Sequence, residues 1–190
     1  PSPTAGHLGG VARRTRETIF LCEAAGYDTV FVETVGVGQS EVSVRSMVDV
    51  FLLLALAGAG DQLQGIKRGI VEMADVLAIN KADGDTRAAA QTARGEYERA
   101  LELLRGPESV WAVPVLTCSA ETGEGLDDVW AAVREFRAHA EQTGAFEQRR
   151  REQARHWMHQ TIEDALRADF YDNPAVEAAR AELEARVEHG

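Results

Sequence analysis

The residues best suited to chemistry are Asn80, Lys81 and Asp83, in an Asn-Lys-Ala-Asp motif that follows an apolar run. An aspartate carboxylate accepts two hydrogen bonds side by side, and the N1–H and exocyclic amine of guanine offer two donors with matching spacing. Adenine lacks that amine, a difference that can be worth ~10⁴-fold in discrimination. Asn80 can meet the acceptor edge of the base and tie loops together, and the Lys81 stem can cover the ring. The motif suggests guanine recognition, but four-residue matches also arise by chance.

A second candidate follows the next apolar run, at Ser119 and Ala120. A backbone N–H there can reach O6 of the same base from the opposite side. Glu121, the next residue of the loop, completes the candidate base-binding group. A plain strand-to-loop turn also explains Ser-Ala, and for this pair alone it is the better interpretation.

A third candidate motif lies earlier in the chain, where Glu33 ends an apolar run and Gly36 follows. Open α/β sheets bind ligands at the carboxyl ends of their strands. There a carboxylate can hold a Mg²⁺ shell, directly or through water, and a glycine amide can approach a phosphate closely. A tight turn with a solvated glutamate is an equally good explanation for these residues alone. The order of the three motifs, each closing a strand, predicts a guanine-nucleotide site.

The elements that position these motifs follow from periodicity. Continuous apolar runs predict interior strands at residues 29–32, 51–56, 76–79 and 113–116. Helical patterns lie between and after them, at about residues 11–25, 41–48, 66–74, 86–104 and 126–139. Strand and helix alternate, with a polar loop after every strand. This predicts an α/β fold, a parallel sheet covered by helices with its ligand loops at one edge.

The pattern changes after Gly144. Residues 145–170 carry one helical apolar stripe and no strand, and Pro174 begins a second helix at residues 174–187. Two amphipathic helices joined by a tight break must bury their stripes on another surface. We therefore expect a domain of residues 1–143 and a helical arm of residues 144–190 that forms a homodimer.

Composition restricts the function classes. The net charge is −11 and the pI about 4.9, so a nucleic-acid backbone would be repelled on average. Cys22 and Cys118 share no metal-binding spacing and fit buried thiols in a reducing cytosol. The longest apolar run, residues 50–59, is shorter than the about 20 residues that span a bilayer. We expect a cytoplasmic protein that binds neither nucleic acid nor membrane.

Four longer segments carry a family resemblance. They are LGGVARRT at 8–15, EAAGYDTVFVETVGVGQSE at 23–41, GAGDQLQGIKRGIVEMADVLAINKADG at 58–84 and CSAETGEG at 118–125. They resemble the methylmalonyl-CoA-mutase-associated GTPases, the MeaB/ArgK group of P-loop GTPases. The likeness covers most of the chain, and motifs of this length are specific to the group.

The resemblance implies roles for individual residues. Residues 8–15 would overlap a first switch region. Glu33, in place of the usual aspartate, would serve the Mg²⁺ shell, and Gly36 would contact the γ-phosphate. A third switch loop that passes nucleotide state to the mutase would contain Asp61, Gln64 and Lys67. For Lys67 the alternative is the solvated basic end of a helix.

The resemblance also implies an activity and its partners. The protein would hydrolyse GTP to GDP with Mg²⁺, and would use that cycle to protect adenosylcobalamin and load it onto methylmalonyl-CoA mutase. Catalysis of this kind is mainly positioning and charge stabilisation, so we expect low intrinsic rates until a partner completes the site.

One departure from the family is plain, because no G-x-x-x-x-G-K-[ST] loop occurs in the 190 residues. In the family that phosphate-binding loop lies upstream. We therefore expect this chain to be the C-terminal part of such a GTPase, with hardly any GTP turnover by itself. Two alternatives remain: a metal-insertion GTPase, although the sequence offers no paired cysteines or histidine cluster, and a non-catalytic dimerisation or mutase-binding module.

Overall fold

The computed structural model describes the backbone of residues 8–34, 40–56, 68–105 and 110–189. In chain order the elements are α1 (Leu8–Ala24), α2 (Ser40–Arg45), β1 (Leu52–Leu56), α3 (Arg68–Met73), β2 (Val76–Asn80), a 3₁₀ turn (Gly84–Thr86), α4 (Arg87–Arg105), β3 (Val115–Thr117), α5 (Leu126–Gln142), α6 (Ala145–Tyr171) and α7 (Pro174–Glu188).

The three strands form one parallel sheet in the order β1-β2-β3. Leu52 is opposite Val76 at one end of the β1–β2 pair, and Leu56 is opposite Asn80 at the other. The central strand β2 is the most buried, with Val76 and Leu77 fully inaccessible. A continuous apolar run is what a parallel strand with both faces covered requires. The α/β prediction is confirmed.

Helices cover both faces of the sheet, and the side chains of β2 point alternately to one face and the other. Leu77 and Ile79 face one way and belong to a core that contains Tyr97 and Leu101 of α4. Ala78 faces the other way and packs with Val129 of α5. Because successive side chains of a strand point to opposite faces, the five residues of β2 hold both helices in place.

The strand predicted at residues 29–32 was wrong, because residues 29–34 contain no strand. Phe31 is 80% exposed, and its ring lies 6.0 Å from that of Trp130. A strand needs a hydrogen-bonded neighbour, and within the described ranges β1 pairs only with β2. An apolar run indicates a tendency to be buried, but it does not show that an adjacent strand is present to form hydrogen bonds with it.

The chain divides into two compact units, residues 1–147 and 148–190. In the second unit, the side chain of Asn173 accepts a hydrogen bond from the Ala175 N–H at 2.9 Å and so caps α7, with Pro174 in the first turn. Four apolar side chains spaced four residues apart on α6 are exposed: Met158, Ile162, Leu166 and Phe170. No helix in the described ranges combines the length and apolar character needed to cross a membrane.

Candidate functional site

Asn80, the last residue of β2, joins two loops. Its side-chain Oδ1 accepts a hydrogen bond from the Lys81 N–H at 2.8 Å and another from the Ala120 N–H at 3.0 Å. Both of these contacts use the oxygen, and among the described residues no hydrogen bond engages the Asn80 amine, which can act as a donor. The loop after β2 and the loop after β3 therefore meet at this side chain.

Lys81 bends the first of these loops. Its φ of 61° lies in the left-handed region, which costs a residue with a Cβ roughly 1–2 kcal/mol. The Thr86 hydroxyl holds this bend, because its single proton is shared between the Lys81 carbonyl and the Asp83 carbonyl, the latter at 2.7 Å. The Lys81 side chain is exposed at the surface of the loop.

Asp83 lies at the start of the 3₁₀ turn but does not cap it with its side chain. Within the described part of the chain, no hydrogen bond or ion pair engages its half-buried carboxylate. A partly buried carboxylate without a protein partner raises the free energy of the folded protein unless water or a ligand donates a hydrogen bond to it. Asp83 is therefore available to a ligand at the edge where the two loops meet.

Ser119 lies in the loop after β3, where its backbone and side chain are engaged within the loop. It is only 1% exposed, and its N–H donates to the Glu124 carbonyl at 2.9 Å. Its hydroxyl oxygen accepts from the Thr122 N–H at 3.1 Å. These contacts close the loop on itself, so Ser119 shapes the loop from beneath. Among the described residues, no hydrogen bond engages the N–H of the exposed Glu121.

The end of this loop depends on Gly125. Its φ is 76°, and a Cβ built there would lie 2.3 Å from the Thr117 carbonyl oxygen. No side chain fits at that distance, so only glycine lets the chain pass β3 and enter α5. The neighbouring Cys118 is also buried, and burial raises the pKa of its thiol.

A comparison of two glycines tests this packing. We expect Gly125→Ala to lower the free energy of unfolding by about 2 kcal/mol or more, because left-handed strain adds to a backbone clash. Gly144→Ala is the matched control, with a φ of 74° and no atom within 4 Å of the added Cβ. The control should lose only about 1 kcal/mol. Urea denaturation of both variants measures the difference, and equal losses would contradict the close approach.

Glu33 is the remaining predicted site residue that the structure describes, and no contact among the described residues ties it to this edge. Glu33 is exposed, and its carboxylate has no hydrogen bond or ion pair among the described residues. Gly36, Asp61, Gln64 and Lys67 lie outside the described residues. The first predicted switch region, residues 8–15, is the beginning of helix α1.

A magnesium ion can still be held with few protein ligands. The described residues contain no group of three or more His, Cys, Asp or Glu side chains placed to bind a metal. Mg²⁺, however, keeps several waters and commonly takes only one or two carboxylates together with substrate phosphates. The exposed Glu33 carboxylate, which has no partner among the described residues, has the chemistry of one such ligand.

Two further contacts escaped the sequence analysis. Thr86 anchors the Asn-Lys-Ala-Asp loop through its hydroxyl, and Arg87 forms an ion pair with Glu124 across the two loops. A threonine just after Asp-Gly-Asp signals a side-chain-to-backbone turn. Nothing in the sequence signals the ion pair, whose partners are 37 residues apart.

The sheet and its loops define the class of protein. A crystal structure described as LAO/AO transport system kinase matches 95% of this chain with a TM-score of 0.76 and 40% identity. The match covers 58% of the chain in that structure. The fold is that of the P-loop GTPases.

The family follows from the sequence comparisons. The model of the family described as methylmalonyl Co-A mutase-associated GTPase MeaB matches residues 1–175, and the chain belongs to this family. The family resemblance predicted from the sequence is confirmed.

Two curated relatives show how much of the protein is covered. A Mycobacterium tuberculosis protein described as a probable GTPase is 50% identical over all 190 residues, which span 56% of its length. The GTPase ArgK of Escherichia coli is 47% identical over 173 residues, 91% of this chain and 52% of that protein. The chain thus spans about half the length of the curated relatives it matches.

Proposed function

We propose that the whole protein containing this chain binds guanine nucleotides and hydrolyses GTP, and that it serves methylmalonyl-CoA mutase by protecting and loading adenosylcobalamin. The family description and the relatives' names support the GTPase activity and the association with the mutase. The observation that carries the nucleotide specificity is the half-buried Asp83 carboxylate, which has no protein partner in the described part of the chain and follows Asn80 in the same loop.

In this proposal, each base contact uses a group that the protein leaves available. The Asp83 carboxylate accepts from guanine N1–H and the exocyclic amine, and the Asn80 amine donates to the acceptor edge. The Lys81 stem lies over the ring. The Ser119 and Ala120 N–H groups already donate to Glu124 and Asn80. The Glu121 N–H is therefore a better donor to O6 than the N–H of Ser119 or Ala120.

The phosphate end of the site is proposed from the resemblance. Glu33 would hold Mg²⁺, which supplies charge stabilisation to the transferred phosphoryl group. Gly36 would approach the γ-phosphate, while Asp61, Gln64 and Lys67 would form the loop that reports nucleotide state. The phosphate-binding loop itself has no match in these 190 residues. We propose that another segment of the whole protein supplies it.

Turnover by the whole protein tests this function. We expect slow GTP hydrolysis by the protein alone, faster hydrolysis when methylmalonyl-CoA mutase is added, and GTP-dependent transfer of adenosylcobalamin to the mutase. ATP is the matched control substrate and should not be hydrolysed. Equal turnover of ATP and GTP, or rates indifferent to the mutase, would contradict the proposal.

We also propose that helix α6 contributes to a homodimer through its exposed row of Met158, Ile162, Leu166 and Phe170. Contiguous apolar surface that is exposed to solvent is typical of protein interaction sites. Sedimentation of the whole protein should show a dimer that Leu166→Asp weakens by at least tenfold, because it places a charge in an apolar contact. Leu103→Asp, at an 86% exposed leucine of α4, is the control and should leave the dimer intact. A monomeric wild type would contradict this proposal.

A further inference from the structure

The loops after β2 and β3 are connected at two levels. Near the sheet, the Ala82 N–H donates to the Cys118 carbonyl at 3.0 Å and the Ala120 N–H donates to Asn80 at 3.0 Å. Farther out, the Arg87 guanidinium forms an ion pair with the Glu124 carboxylate. The inner ties involve the backbone, whereas the outer one depends only on two side chains.

Each partner of the outer ion pair is attached to one half of the proposed base site. Arg87 begins α4 directly after Thr86, whose hydroxyl donates to the carbonyl of Asp83. The Glu124 carbonyl accepts from the Ser119 N–H, and its own N–H donates to the Thr122 hydroxyl at 3.3 Å. The ion pair therefore links the segment that carries the Asp83 carboxylate to the loop that carries the Glu121 N–H.

A small cavity of about 50 Å³ includes both partners of the pair in its lining. It is lined by Ala82, Arg87, Gln91, Thr117, Cys118 and Glu124. Because the two loops leave this cavity between them, close packing does not fix the distance between the loops at the cavity. Two contacts cross this space, the charged pair and a hydrogen bond of 3.4 Å from the Gln91 amide to the Thr117 hydroxyl. Of the two, only the charged pair reaches the loop after β3.

We propose that Arg87 and Glu124 form a positioning pair that holds the two base-binding loops together and slows the release of guanine nucleotide. The inference rests on the proposed guanine site. Neither residue touches the nucleotide; both act through Asp83 and Glu121. The two side chains are 57% and 59% exposed, so dissolved salt screens their attraction and should speed nucleotide release.

Release of a fluorescent GDP analogue from the whole protein tests the pair. Exposed ion pairs contribute modestly, so we expect Arg87→Gln and Glu124→Gln each to speed release about two- to fivefold. The double variant should release no faster than either single variant, because the pair acts as one unit. Exchanging the two charges, with Arg87→Glu and Glu124→Arg together, should restore slow release. The salt dependence of release should shrink in the uncharged variants.

The control comes from the same helix. Arg94 and Glu98 form a partly exposed ion pair at 2.9 Å on α4, with both partners outside the two loops. Glu98→Gln should leave GDP release at the wild-type rate, and the melting temperatures of the Glu98→Gln and Glu124→Gln variants should agree. If Arg87 and Glu124 had a merely structural role, their substitutions would lower the melting temperature, and exchanging the two charges would not restore slow GDP release. That result would overturn the inference.

Failure of the inference differs from failure of the proposed function. If the wild type binds GDP and the Arg87 and Glu124 variants release it at the wild-type rate, only the positioning pair is refuted. Additive effects in the double variant would refute it too. If the wild type does not bind GDP, the proposed function fails, and the inference that rests on it fails as well.

Discussion

Asp83→Asn should change the base that the whole protein binds, lowering its affinity for GDP by about 10³- to 10⁴-fold. The asparagine amide has one acceptor and one donor group where the carboxylate has two acceptors, so it cannot accept from both guanine N1–H and the guanine amine. Xanthine has a carbonyl at the position of that amine, and the new amide can donate to it while accepting from N1–H. Affinity for xanthosine diphosphate should therefore rise as affinity for GDP falls.

Calorimetric titration of both nucleotides measures this exchange. Asp85→Asn is the matched control, since Asp85 is an exposed carboxylate in the same 3₁₀ turn. It changes the net charge by the same amount and should leave the preference for GDP unchanged. Equal effects of the two substitutions would show that charge alone, and not a specific pairing with the base, accounts for the loss.

Asp75→Ala should cause the largest loss of stability. Asp75 is 3% exposed and lies just before β2, where its carboxylate accepts from the Phe51 N–H at 2.9 Å and from Arg45 at 3.2 Å. Removing it deprives a buried backbone donor and a largely buried guanidinium of their shared acceptor. Loss of one partner of a buried pair costs about 3–5 kcal/mol, and the partial exposure of Arg45 places this case near the lower end.

Urea denaturation of the whole protein measures the loss. Glu98→Ala is the matched control, because it breaks an ion pair of similar length whose partners are 42% and 43% exposed. Exposed pairs contribute about 0–1 kcal/mol, so the control should unfold near the wild-type midpoint. A loss from Asp75→Ala no larger than that of the control would contradict the structural role of the buried carboxylate.

The sequence predicts those parts of this fold that depend on local pattern. The apolar run of β2 is continuous because both faces of the strand are covered, and it was recognised as an interior strand for that reason. Asn80 and Asp83 were predicted to bind the base because their chemistry matches guanine, and that role stays a prediction. Pro174 was correctly placed in the first turn of α7, where its missing N–H is harmless.

Contacts that depend on distant residues were not predictable. The partners of Arg45–Asp75 and Arg87–Glu124 are 30 and 37 residues apart, and only the folded sheet brings them together. The strand predicted at residues 29–32 failed for a related reason, since strand formation depends on a neighbour and not only on composition. Nothing in the sequence indicated that Ser119 is engaged within its own loop, where its N–H donates to the Glu124 carbonyl and its hydroxyl accepts from the Thr122 N–H.

The central claim is that the two loops at the end of the sheet bind guanine specifically. Competition between GDP and ADP for the whole wild-type protein tests it most directly. The account predicts that GDP binds on the order of 10⁴-fold more tightly than ADP, because adenine cannot pair with the Asp83 carboxylate. Comparable affinities for GDP and ADP would contradict it.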